Sequence, residues 1–329
     1  MTRIAGRRHM RESAQRPALG AFIICSMQAI ARRLAELVVA GFGLCARAFW
    51  RLIPPGVQER AAAEKLRAEF RGLAPGKTED DSEAAADWLR RRRTLHENVC
   101  SRDARAFLTW KVIRETMLAA PYAGFVRFEL SALRAAGWKT WKRVIRERMT
   151  GLPFPCLFYP LSSATAIHHA YHLWRFRSET GVRVSDFSTI VEFGGGYGSM
   201  RRIAHQAGFR GTYVLYDLPE FAALQRYYLT QAGLGDTIIT TDLDTLSGAV
   251  ERARSGTRLF MATWSLSEAP LELRKNVLVL VRDFDAFLIA YQERFHEIDN
   301  RAFFAGWPSL PIAQLPGNYY SFRLKQSGP

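Results

Sequence analysis

Thr189-Ile190-Val191-Glu192-Phe193-Gly194-Gly195-Gly196-Tyr197-Gly198-Ser199-Met200 is the stretch that decides the fold. A short apolar run, Ile190-Val191, leads to an acid, Glu192. Four glycines in five positions follow (Gly194, Gly195, Gly196 and Gly198), then a helical pattern through Ala204. Strand, glycine turn and helix in that order bring bare backbone N–H groups and a helix N-terminus up to a ligand.

Downstream, strand-like runs at Thr212–Tyr216, Thr237–Thr241, Leu259–Trp264 and Ala286–Tyr291 alternate with helical stretches at Pro219–Ala232, Leu243–Arg254 and Leu271–Asp283. That alternation predicts a mostly parallel sheet covered by helices on both faces, an α/β domain over 151–329. Ligands of such sheets sit at the carboxyl ends of the strands. Glu192, the glycine loop, Asp217, Asp242 and Ser265–Glu268 all fall there.

Upstream, 57–150 reads as a helical region. Ser82 is a plausible N-cap, and helices are expected over Ala106–Met117, Phe125–Ala136 and Trp138–Met149. Its aromatic-rich buried face makes it a cap over the sheet or a homo-oligomerisation element. A further helix over Ser162–Phe176 carries His168 and His172 four apart, a spacing able to hold a metal. His169 stands where a zinc-protease helix needs Glu, so no metal is expected.

Of the formal charge of +15, nearly all lies upstream: residues 1–150 hold 29 Lys and Arg against 15 Asp and Glu. No DNA- or RNA-binding motif accompanies that charge, so nucleic acid is not the expected partner. The basic, apolar segment 1–56 suits a disordered end or, through residues 1–50, peripheral contact with a membrane. Neither apolar run in it reaches the roughly twenty uncharged residues of a membrane span. Cys25, Cys45, Cys100 and Cys156 are scattered without a C-x-x-C pair, as in reduced cytoplasmic proteins. The expected location is cytoplasmic, peripheral to the inner face of the membrane where residues 1–50 touch it.

The spacing of the loop narrows its ligand. A dinucleotide loop needs G-x-G-x-x-G, and counting from Gly194 or Gly196 puts Ser199 or Arg201 at the third glycine. The Gly-Lys-Ser/Thr of a phosphate-cradling loop is absent. What remains is E-x-G-x-G-x-G, read as Glu192, Gly194, Gly196 and Gly198. An acid beside a pyrophosphate would repel it, whereas beside an ammonium and a sulfonium it attracts. S-adenosyl-L-methionine is such a ligand. Asp217 ends the second strand, where a carboxylate can accept both ribose hydroxyls, with Leu218 next to it. Asp242, after the third strand, is expected at the adenine amino group, Tyr197 over the cofactor and Ser265 beside it.

The blocks IVEFGGGYG, YDLPEFAALQRYYL and TWSLSEAP, with a late GNYYSFR, resemble the sugar O-methyltransferase family among S-adenosylmethionine-dependent, class I, Rossmann-like methyltransferases. The resemblance covers roughly Pro153–Arg323. It implies a seven-stranded sheet whose last strand is antiparallel, with Asn318–Leu324 as the candidate. It also implies methylation of a hydroxyl on a sugar, glycan or glycolipid acceptor. A hydroxyl is a poor nucleophile, so a base is needed; Glu268 and His168 or His169 in the preceding helix are the candidates, with Glu268 first and His169 second. A small-molecule O- or N-methyltransferase of the same fold, and a non-catalytic S-adenosylmethionine-binding protein, are the alternatives.

Overall fold

The structure is a computed structural model that describes residues 52–73 and 82–325, together with Leu34, Leu37, Gly41, Cys45 and Ala48. The expected membrane contact of residues 1–50 lies outside the described residues, those five positions apart. No helix among the described residues is long and apolar enough to cross a membrane.

Seven strands form one sheet: β1 Thr189–Phe193, β2 Thr212–Tyr216, β3 Ile238–Thr240, β4 Arg258–Thr263, β5 Ala286–Gln292, β6 Leu310–Pro311 and β7 Asn318–Leu324. Their order is β6-β7-β5-β4-β1-β2-β3. β1 runs parallel to β2 and β4, and β4 to β5. β7 lies antiparallel on β5, from Asn318 opposite Gln292 to Leu324 opposite Ala286. This is the mostly parallel, Rossmann-like seven-stranded sheet that the resemblance implies, with the antiparallel strand where it was expected. β6, two residues long and antiparallel to β7, gave no pattern long enough to read.

β1 is buried along its whole length, as a central parallel strand covered on both faces must be. Alternate residues serve opposite layers. Ile190, Leu215, Met261 and Leu288 pack with the upstream helices, while Val191, Val214, Phe260 and Ile289 pack on the other side. The upstream helices are α1 Val57–Gly72, α2 Glu83–Ser101, α3 Lys111–Met117, α4 Gly124–Ala135, α5 Trp138–Val144 and α6 Ala164–Thr180. Then come α7 Ser199–Gln206, α8 Pro219–Gln231, α9 Leu243–Arg252, α10 Ser265–Glu268, α11 Leu271–Val281 and α12 Asn300–Phe303.

The helices ahead of the sheet dock on α8. Trp88 meets the Phe221 ring edge-on at 5.8 Å, and Arg92 pairs with the buried Glu220 at 2.8 Å. Ser82 caps α2 as expected, its Oγ accepting from the Ala85 N–H at 3.2 Å. Two expected helices are shorter than their apolar periodicity. Ala104–Thr109 is a 3-10 turn, and the backbone is extended at Trp110 before α3 begins. Tertiary pairing competes there, because the Leu108 N–H donates to the Gly151 carbonyl at 3.0 Å. α5 stops at Val144 because Glu147 is drawn away: its N–H donates to the Leu161 carbonyl at 3.1 Å and its carboxylate pairs with Arg202 at 2.7 Å.

Candidate active site

The chain steps from β1 through β2 to β3 on one side, then returns to place β4 on the other side of β1. A crevice opens at the carboxyl ends of β1 and β4, where such a sheet binds its ligand. A cavity of about 1020 Å³ lies there. The glycine loop, Asp217 and Ser265–Glu268 border it from the sheet, and side chains of α2, α4 and α6 close it from above.

The loop is shaped by contact. Gly194 sits at φ +70°, and a Cβ on it would overlap the Cβ of Ser265, whose hydroxyl donates to the Phe193 carbonyl. A Cβ on Gly195 would overlap Leu215 and press on the Glu192 carboxylate. Glu192 is thus tucked beneath the loop, with one oxygen accepting from the Tyr213 hydroxyl at 2.7 Å. Burial pushes its carboxyl up to about 8, partly offset by the tyrosine, with Asp217 adding to the rise.

Asp217, after β2, accepts from the Leu218 N–H at 2.8 Å and from the Gln225 amide at 2.6 Å. Gln225 also donates to the Gly196 carbonyl at 3.0 Å, tying the acid to the loop. Burial pushes Asp217 up to about 7 against those hydrogen bonds. Gln225 lies in the block YDLPEFAALQRYYL, where nothing in the pattern singles it out.

Glu268 lines the same cavity from the β4 side, and burial pushes it up to about 7, with Arg91 opposing. Carboxyls held above their ordinary values bind protons in the folded state that the unfolded chain has lost. Their contribution to stability is full below about pH 4 and lost as pH rises through 7 and 8. The ligand-free protein is therefore expected to show a melting temperature that falls from pH 5 to pH 8. Asp217→Asn should flatten that fall, and thermal unfolding across a buffer series reads it directly.

Of three further expected residues, Tyr197 borders the cavity while Asp242 and Gly198 do not. The Tyr197 ring is buried against Phe107 and Tyr228, at 5.9 and 5.0 Å, on the side of the helical layer. Asp242 is exposed and caps α9, accepting from the Thr245 N–H at 2.7 Å; its neighbour Thr241 lines the cavity instead. Gly198 starts α7 against Leu229 and serves packing. His169 does reach the cavity, but its Nδ1 is sealed without a partner, and burial pushes it down to about 3.

His168 and His172 have separate Nδ1 partners. Nδ1 of His168 meets Glu129 at 2.9 Å, while Nδ1 of His172 meets the Tyr320 hydroxyl at 2.6 Å. The lining is mainly apolar and aromatic, with Trp88, Phe125, Phe221, Trp264 and Phe303 among it. Among the described residues its charged members are Glu115, Glu192, Asp217, Glu268, Glu297 and Asp299 against one arginine, Arg92, already committed to Glu220.

No protein-family model and no curated protein matches the chain. Among solved structures it is similar to the SAH-bound Podospora anserina methyltransferase PaMTH1, at 12% identity over 63% of this chain and 99% of that one, TM-score 0.36. It is also similar to PigF with SAH, at 15% identity over 85% and 98%, TM-score 0.33. A third likeness is to a Galdieria sulphuraria structure assigned as a sarcosine dimethylglycine methyltransferase, at 16% identity and TM-score 0.30. It covers 43% of this chain and only about half, 53%, of that one. Likeness at this level does not reach activity or substrate.

Proposed function

We propose that this protein is an S-adenosylmethionine-dependent O-methyltransferase acting on a hydroxyl of an uncharged sugar, free or within a glycan or glycolipid. The observation that carries it is the pairing of two carboxyls, the buried Glu192 and the half-buried Asp217, with a glycine loop at the sheet's switch point and, among the described residues, no lysine or arginine in the lining free to meet a pyrophosphate. Those residues fit a cationic nucleoside. Its ammonium would favour the charged form of Glu192, and Asp217, oriented by Gln225, presents its remaining lone pairs to ribose hydroxyls. Gly194, Gly195 and Gly196 let the backbone approach, and Leu218 packs beside the base.

When bound, the cofactor supplies a methyl group on a sulfonium. The protein's part is to align the acceptor, worth several kcal/mol of the barrier, and to manage its proton. The flat faces of Trp88, Phe125 and Trp264 suit the apolar faces of a sugar ring. The excess of carboxylates disfavours a phosphorylated or sulfated acceptor. The same excess favours, as a second reading, an amine acceptor and N-methylation on this fold. Residues 1–50 would hold the enzyme at a membrane carrying a glycolipid acceptor.

Titration calorimetry with S-adenosylhomocysteine tests the cofactor. Micromolar binding is expected, weakened at least tenfold, about 1.4 kcal/mol, in Asp217→Ala. Absence of binding to the unsubstituted protein would end the proposal. Incubating cell extract with protein and trideuteromethyl-labelled cofactor, then sorting labelled products by mass spectrometry, separates sugar hydroxyls from amines.

A further inference from the structure

Resting on the methyltransferase reading, we propose that His168, oriented by Glu129, is the general base that takes the acceptor's proton. Glu129 is fully buried on α4, and both its oxygens lie 2.9 Å from Nδ1 of His168. Gln314 donates to the same carboxylate at 3.0 Å. A buried acid on the inner face of a helix persists only when paired, and its pair here reaches the cavity.

A carboxylate accepts only from Nδ1–H, which fixes the tautomer and leaves Nε2 as a bare lone pair. Nδ1 of His169 and Nε2 of His172 are sealed without partners; Nε2 of His168 is not. The ring is held in place. Trp264 stacks on it at 5.3 Å and 28°, and Phe125 meets it edge-on at 5.1 Å. Trp264 takes φ +65°, costly for a bulky residue. Two bonds hold it there, its N–H to the Ala290 carbonyl and its indole N–H to Asn318, each 2.7 Å. The next residue, Ser265, is the one that abuts Gly194. Strain is thus used to set His168 one side chain away from the cofactor loop.

In the step itself the acceptor's O–H bond breaks as its oxygen forms a bond to the methyl carbon. The proton passes to Nε2 of His168, and the electrons of the broken carbon–sulfur bond stay on sulfur as a neutral thioether. The proton then leaves to solvent. Glu268, across the cavity, is left to accept a hydrogen bond that aligns the hydroxyl. His169 has no carboxylate to orient it, and a group that loses its proton near pH 3 is a weak base at neutrality.

Two measurements decide. Nitrogen NMR of histidine-labelled protein is expected to show His168 as the Nδ1–H tautomer with bare Nε2 at neutral pH. An Nε2–H tautomer would overturn the proposal whatever the acceptor is. Labelled methyl transfer in extract is expected to fall 10²- to 10⁴-fold in His168→Asn, and roughly tenfold or more in Glu129→Gln. Losses under tenfold are expected in His169→Asn and Glu268→Gln, with S-adenosylhomocysteine affinity unchanged in all four. A His168→Asn enzyme keeping a third of its rate, or a larger loss in Glu268→Gln, overturns it. If the unsubstituted protein binds no S-adenosylhomocysteine, the function has failed, while the tautomer still reports on the pair.

Discussion

Gly194→Ala is expected to abolish S-adenosylhomocysteine binding, with an affinity loss beyond a hundredfold, and to lower the melting temperature by about 5–10 °C. Two costs add at this position. The left-handed backbone, φ +70°, costs a non-glycine residue about 1–2 kcal/mol. The new Cβ would overlap that of Ser265, an atom fixed to the backbone and so unable to swing aside. Overpacking of that kind costs about 1–3 kcal/mol. The segment after β4 is pinned by Arg274 through the Ser267 and Ala269 carbonyls, so relief requires the loop to withdraw from the cavity, and the loop carries groups assigned to the cofactor. Gly196→Ala is the internal control. Its φ is +58°, but a Cβ there meets only Met117 at 3.5 Å, an ordinary contact. It should lose the dihedral term alone, about 1 kcal/mol, and bind measurably. Calorimetry on the pair separates backbone strain from collision; equal losses in both would show that the Ser265 contact does not matter.

What was legible in the sequence was what is local. Glycine loop, strand-terminal Asp217 and the Ser265–Glu268 turn lie within short segments whose residue types and spacing reflect one backbone geometry. The misplacements come from competition that a single chain segment does not reveal. Asp242 sits at the right strand end, yet a short acid before a helix has a nearer partner in its own cap. Tyr197 follows three glycines, and only the docking of Phe107 shows which way its ring turns. His168 and His169 differ by about 100° around one helix, and which of them meets a partner depends on where α4 lies. A signal for that partner did exist. The buried positions of α4 are Val126, Glu129, Leu130 and Leu133, an apolar stripe broken by one acid. An acid on such a stripe demands a buried partner, and the histidine-rich helix offers one.

Arg274→Leu is expected to cost about 3–5 kcal/mol, the largest loss of stability from any single side chain that holds the site. Arg274 is fully buried on α11. Its Nε donates to the Ala269 carbonyl at 2.7 Å, Nη2 to the Ser267 carbonyl at 2.5 Å and Nη1 to Asn300 at 2.7 Å. Burial holds its pKa down to about 10, so it remains a cation at neutral pH. Leucine would leave two carbonyls and an amide oxygen buried without donors, each a penalty of about 1–3 kcal/mol. Those carbonyls belong to the short segment that carries Ser265 and Glu268 into the cavity. Arg274→Lys should recover part of the stability, since a compact ammonium cannot reach all three acceptors in the planar fork of a guanidinium. In that variant, assayed well below its melting temperature, S-adenosylhomocysteine affinity should change little while methyl transfer falls, because the cofactor groups on β1 and β2 stay in place and Glu268 moves. The opposite split, affinity lost and transfer rate kept, would mean that the Ser265–Glu268 segment serves the cofactor alone and that the acceptor is aligned by the helices above it.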